Sequence, residues 1–207
     1  MSDMPSDQEC HDSEMDAQSD RELVKKAQEG DLSSYDALVL KYNERLYAMV
    51  YHMTKNRDDA YDLVQVAFTK AYRSLHRFKG KSAFYTWVYS IAVNTTLNYL
   101  KKKKPDFSID DEDNGILDRT SRPSSDYASD PRRKADLKIL RKKMNDALMR
   151  LSEHHRTVVV LYDIQGIPQN EISKILGVSD GTVRSRLFYA HKQLQAELET
   201  FKANYGL

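Results

Sequence analysis

Arg184, Ser185, Arg186, Phe188, Tyr189, His191 and Lys192 fall in one short run near the end of the chain. Guanidinium and ammonium groups bond guanine edges and phosphates, a hydroxyl bonds either, and an aromatic ring can meet a thymine methyl. At 3.6 residues per turn, Ser185, Phe188, Tyr189 and Lys192 share one side of a helix, with Arg184, Arg186 and His191 on its flanks. The other side carries Val183, Leu187, Ala190, Leu194 and Leu198, an apolar stripe at helical spacing. An outward Phe beside an outward Tyr among cations suits a DNA groove better than water. The blander reading is a helical hairpin with a charged face.

Bond-making chemistry finds little support. There is no Gly-rich phosphate loop, no His-Glu-x-x-His helix and no serine nucleophile elbow. His154 and His155 have no carboxylate or thiol at metal-ligand spacing. The dense acids Asp110, Asp111, Glu112 and Asp113 read as solvated spacer, and the single Cys10 as a bystander in a polar start. No catalytic residue, metal or cofactor is expected. No apolar run approaches membrane-spanning length and the acidic start is unlike a signal peptide, so the expected location is the cytoplasm, without membrane insertion.

The net charge of +1 is uninformative, but its distribution is not. Seven of the 31 acids, Asp3 to Asp20, fall in the first twenty residues, leaving 24 against 32 basic residues elsewhere. An acidic arm over 1–19, expected to be disordered, on a basic body fits a nucleic-acid binder.

The elements that position the cationic run are helices throughout. From Gly166, Ile167, Ile172, Ile175 and Leu176 mark a first helix, Gly177 breaks it, and Ser179 or Asp180 can cap the second: a helix-turn-helix. Upstream, 20–30 reads as a short helix capped by Asp or Ser, and 32–55 as a longer one ending at Asn56-Arg57-Asp58. The third, 59–77, has the most regular apolar face: Ala60, Leu63, Val64, Ala67, Phe68, Ala71, Tyr72 and Leu75. Its outer face holds Asp62, Gln65, Val66, Thr69 and Arg73. A basic loop, Phe78-Lys79-Gly80-Lys81-Ser82, follows, with Ser82 as a candidate cap for a fourth helix over 83–101. That helix is apolar or aromatic nearly all round. The stretch 105–134, rich in Asp, Ser and Pro, reads as a flexible linker. Helices resume over 135–151, with Leu137, Leu140 and Met144 on the apolar face, and over 154–165. The expected fold is all-α, with two small helical domains, 20–104 and 135–207, on a tether.

Three motifs in this order resemble the bacterial RNA polymerase sigma factors, in particular the extracytoplasmic-function group that keeps only regions 2 and 4. DDAYDLVQVAFTKAYRSLHRF is similar to the helix that docks on the polymerase clamp. FKGKSAFYTWVYSIAVNTTLNYL is similar to the loop and helix that open and read the minus-ten element. LSEHHRTVVVLYDIQGIPQNEISKILGVSDGTVRSRLFYAHKQL is similar to the minus-thirty-five reader.

The resemblance implies that Asp59, Asp62 and Gln65 contact polymerase, and that Phe78, Lys79, Lys81, Ser82 and Asn94 serve the minus-ten strand. It assigns Arg184, Ser185, Arg186, Phe188, Tyr189 and Lys192 to the minus-thirty-five duplex. Lys101 to Lys104 would hold backbone phosphates, with Gln169, Asn170 and Lys174 as further phosphate candidates. Trp87 reads as core rather than as a stacking residue. The implied partners are core RNA polymerase, through the beta-prime clamp helices and the beta flap, promoter DNA, and an anti-sigma factor such as holds many relatives inactive. Tyr61 and Val66 stand where the family commonly has acids, and Tyr189 and His191 where many relatives have Arg. The rival reading is an operator-binding regulator, which would need a dimer face or ligand pocket where the first half carries docking and melting motifs.

Overall fold

The computed structural model describes residues 19–103 and 142–205, and every regular element among them is helical. The acidic arm with Cys10, the linker with Asp110 to Asp113, and Leu137 and Leu140 lie outside the described residues. The N-terminal unit comprises α1 (19–28), α2 (Leu32–Thr54), α3 (Arg57–Ser74) and α4 (Phe84–Lys102). The C-terminal unit comprises α5 (142–150), α6 (Glu153–Val159), α7 (Gln169–Leu176) and α8 (Asp180–Tyr205).

Local chemistry sets the ends. Asp31 caps α2, its carboxylate accepting from the Ser33 N–H and from both the Ser33 and Ser34 hydroxyls. Lys55 closes α2 in the left-handed region at φ 56°, and Asn56 then caps α3 by accepting from the Asp59 N–H. α3 gives way to a tighter turn at Leu75–Arg77. α6 widens into a π-turn over Val160–Ile164, where the Gln165 N–H bonds the Val160 carbonyl. Gly177, at φ 63°, ends α7 in the left-handed conformation open to glycine, and the Ser179 hydroxyl caps α8 at the Thr182 N–H.

Four readings shift. Asp20 is not a cap: it lies inside α1, where its carboxylate takes Lys41 Nζ at 2.7 Å and the Tyr42 hydroxyl. Ser82 does not cap α4, which begins after Ala83 with no side-chain cap. Tyr72, placed on the buried face of α3, is 43% exposed, its ring tilted against Tyr35 with centroids 4.9 Å apart. Met144 is likewise 41% exposed. Both are amphipathic or adaptable side chains at the rim of an otherwise buried stripe.

α2, α3 and α4 pack on one another around Leu38, Leu46, Met49, Val88 and Val93. α6, α7 and α8 enclose Val158, Leu161, Ile172, Ile175 and Val183. The two units also touch: α4 packs on α7, and α2 on α6 and the π-turn, so the buried residues form one continuous cluster. Separate domains on a tether were the expectation; here they rest against each other.

Candidate nucleic-acid interface

The helix-turn-helix forms as its periodicity dictates. Val183, Leu187 and Ala190 are buried and Leu194 and Leu198 half-buried, which leaves Arg184, Ser185, Phe188, Tyr189 and Lys192 exposed and Arg186 half-exposed. Phe188 and Tyr189 are 63% and 58% exposed, and their rings meet edge-on at 5.4 Å. Ser185 donates back to the Thr182 carbonyl. His191 is tied down: its Nε2 lies 2.8 Å from Asp163 Oδ2, so the π-turn braces α8 at this flank. Lys174 on α7 is exposed but paired with Glu171 Oε1 at 2.6 Å. Glu171 also accepts from Thr86. Burial pushes the Glu171 carboxyl up, yet hydrogen bonds from Lys174, Thr86 and Tyr85 hold it below the ordinary glutamate value.

The basic loop is built differently. Phe78 is half-buried, its ring 4.9 Å from Trp87 and 6.1 Å from Phe84, and Trp87 lies 5.9 Å from Phe84. This aromatic triad fixes where the loop leaves the body, with Trp87 as the wall and Phe78 at the rim. Gln28 at the end of α1 donates from Nε2 to the carbonyls of Leu75 (2.8 Å) and Phe78 (2.9 Å). Nothing in the sequence marked Gln28, because its role depends on a contact 50 residues away. Lys79 and Lys81 stand exposed, Ser82 is half-exposed, and Gly80 takes φ 65° to turn the loop. Asn94 is exposed on α4, and Lys101 and Lys102 are exposed in its last turn, where cations complement the helix dipole.

On α3, Asp62 and Gln65 are exposed, with Tyr61 (59%) and Val66 (43%) beside them. Asp59 has an internal partner: its carboxylate pairs with Lys103 Nζ at 2.7 Å, with Tyr99 alongside. The Asp59 bond and then the Tyr99 bond hold the Lys103 ammonium well above the ordinary lysine value. The docking candidates thus divide into an exposed pair, Asp62 and Gln65, and an acid bound to the end of α4.

Among the described residues no cluster of His, Cys, Asp or Glu could hold a metal ion, and no helix is long and apolar enough to cross a membrane. Two cationic, aromatic surfaces, the 78–82 loop and the exposed side of α8, together with an acid-and-amide face on α3, have the chemistry that a DNA-reading protein with a docking side would use.

Comparison with known proteins gives that class its family. The Sigma-70 region 2 family model matches residues 38–105 and the Sigma-70, region 4 model matches residues 147–196. RNA polymerase sigma-H factor of Pseudomonas aeruginosa is 33% identical over 187 residues, spanning 87% of this chain and 94% of that protein. The ECF RNA polymerase sigma-E factor of Escherichia coli is 33% identical over 189 residues, spanning 87% and 94%. The sigma factor RpoE of Bartonella quintana, solved with the anti-sigma factor NepR, has the same fold: TM-score 0.59 at 22% identity, covering 80% of this chain and 96% of that one. The chain belongs to the sigma-70 family of RNA polymerase sigma factors, in its extracytoplasmic-function group. It directs RNA polymerase to promoters to initiate transcription, and is not an operator-binding regulator that works without polymerase.

Proposed function

We propose a division of labour among three surfaces. The face of α3 around Asp62 and Gln65 docks on the clamp helices of the beta-prime subunit. The Phe78 to Ser82 loop with Asn94 holds an unstacked minus-ten base, and Lys79 and Lys81 hold its backbone. The exposed side of α8, from Arg184 to Lys192, reads the minus-thirty-five duplex. In this reading residues 20–104 are the docking and melting domain, 105–134 the linker and 135–207 the duplex reader, with the beta flap as the second polymerase contact.

The observation that carries the reading is the exposure of each surface. Phe188 and Tyr189 stand more than half exposed beside cations on α8, and polar Asp62 and Gln65 face outward on α3. Apolar rings among cations are costly in water and useful in a groove. Val66 and Tyr61 replace charge with apolar contact on the docking face, so orientation there falls to Asp62 and Gln65. Asp59 stands at the N-terminal end of the same docking face, its carboxylate also pairing with Lys103 at the end of α4. The chain makes no bonds itself; catalysis stays with the polymerase in the cytoplasm. An anti-sigma factor is the partner class that would restrain it.

The test is run-off transcription with core polymerase, with Asp62→Ala measured beside the parent protein. The expected outcome is weaker core binding by about threefold to tenfold, the weight of one oriented charge at an interface, with the affinity of α8 for duplex DNA unchanged. Equal losses in both would sink the division.

A further inference from the structure

The end of α4 carries three consecutive lysines, Lys101 to Lys103, and they are not used alike. Lys101 and Lys102 are exposed and continue the stripe of Asn94 and Asn98, which fall at helical spacing on the outer side of α4. Lys103 departs from that stripe. It closes the helix in an extended conformation, its N–H donating to the Tyr99 carbonyl at 2.9 Å, and its side chain reaches across to α3. There the ammonium meets Asp59 Oδ2 at 2.7 Å and lies 5.5 Å from the centre of the Tyr99 ring. Asp59 sits in the first turn of α3, its N–H donating to the Asn56 cap at 2.8 Å, where the helix dipole favours a negative charge with or without the lysine.

The Asp59 carboxylate therefore has two claimants. Asp59 precedes Asp62 by three residues and Val66 by seven, one row along the outer face of α3. A basic side chain that pairs with Asp62 from a docked protein stands about 5–6 Å from Asp59, the spacing of neighbours on a helix surface. The Asp59 side chain is 21% exposed and that of Lys103 42%, so an incoming cation can reach the pair. An ion pair at such exposure is worth at most about fivefold in an equilibrium. That is large enough to measure and small enough to be exchanged. Released from Asp59, Lys103 would join Lys101 and Lys102 as an ammonium on a flexible stem, the group that a DNA phosphate takes up.

We propose that Asp59 couples polymerase docking to DNA binding by exchanging partners. In the free chain it holds Lys103; on docking it turns to a basic residue of the polymerase and releases Lys103 to the phosphates of the minus-ten strand. This rests on the assignment of α3 to docking and of the end of α4 to the DNA backbone. The free chain thereby withholds one cation from stray single strands and offers it only once polymerase is bound. The coupling is reciprocal: DNA that captures Lys103 leaves Asp59 open to polymerase.

The experiment measures the full chain against core polymerase and, separately, against a fluorescent oligothymidylate about twelve nucleotides long. Lys103→Gln leaves Asp59 open, so core affinity should rise by about twofold to fivefold. Lys102→Gln, beside it, should give no such gain. Repeating Lys103→Gln in an Asp59→Asn chain closes a double-mutant cycle, in which the gain should vanish. Misfolding cannot produce a gain of this kind. In the DNA arm Asp59→Asn frees Lys103: affinity for the oligothymidylate should rise by about twofold to threefold, and the slope of log affinity against log salt should steepen by ~0.7, one added phosphate contact. Asp58→Asn removes the exposed neighbouring acid without releasing Lys103 and should leave that slope unchanged. The exchange is overturned if Lys103→Gln fails to raise core affinity, if the gain persists without Asp59, or if Asp59→Asn and Asp58→Asn change DNA binding alike. Asp62→Ala locates such a failure. With core binding weakened, the docking face stands and only the exchange falls; with core binding unchanged, the docking reading falls and takes the exchange with it.

Discussion

The Phe78 to Ser82 loop and the exposed side of α8 present similar chemistry, an aromatic ring among cations, on different foundations. In α8 each side chain is placed by the helix itself: burial of Val183, Leu187 and Ala190 leaves the opposite face no other orientation. In the loop the Phe78 N–H bonds the Leu75 carbonyl, but no helical period places its ring. Its position depends on Trp87 and Phe84 from the following helix and on Gln28 from α1, which holds the backbone from behind. A surface that reads intact duplex can be a regular element, because the duplex is regular. A surface that takes a base out of the stack needs a shaped support, and helical periodicity does not encode one.

The comparison breaks most visibly at Phe78. Phe78→Ala removes both the rim ring and its packing on Trp87, and stacking on one base is worth ~1–3 kcal/mol. Open-complex formation should fall by up to about a hundredfold, read with permanganate footprinting, while binding of a minus-thirty-five duplex stays at the parent value. An equal loss in duplex binding would mean that the loop and α8 are not separate readers.

Arg184→Ala is the reciprocal case. Loss of a bidentate contact costs ~1–3 kcal/mol of discrimination, about tenfold in promoter binding, with relaxed preference at one position of the upstream element. Opening on a template with a preformed minus-ten bubble should be untouched. A selection from randomised upstream elements checks this, and an unchanged motif would remove Arg184 from the readout.

Gln28→Ala separates support from contact. It deletes the hydrogen bonds to the Leu75 and Phe78 carbonyls, at ~1 kcal/mol each, without touching a proposed DNA-facing side chain. The expected loss is in opening, roughly threefold to tenfold, rescued on the pre-melted template. Hydrogen exchange at the amides of Lys79 to Lys81 should quicken in step. If exchange is unchanged while opening falls, Gln28 acts on DNA directly and the supporting role is wrong.

What the sequence disclosed follows the same line. The helices of both units, the Gly177 turn and the buried stripe of α8 were legible because each is a short-range consequence of periodicity and capping. Asp20, Ser82 and Tyr72 were not: each is decided by a partner elsewhere or, for Ser82, by a helix starting two residues later. Asp20 is drawn inward by Lys41 and Tyr42. Gln28 and the seam of α4 with α7 lay beyond reach for the same reason: polar residues carry no period, and their contacts cross 50 and 85 positions.

The smallest expected effect tests a flank of α8 that is held from outside. His191 lies against Asp163 of the π-turn at 2.8 Å, so its ring nitrogen is engaged by the protein's own carboxylate. His191→Arg keeps the partner, since a guanidinium can still pair with the carboxylate, and adds donors that extend past it. The pair is exposed and contributes little stability, so melting temperature should barely move. Promoter affinity should rise by about threefold at low salt, and the slope of log affinity against log salt should steepen by up to ~1, the signature of one added phosphate contact. If affinity rises with no change in slope, the gain came from a base edge, and His191 belongs with Arg184 among the specificity residues.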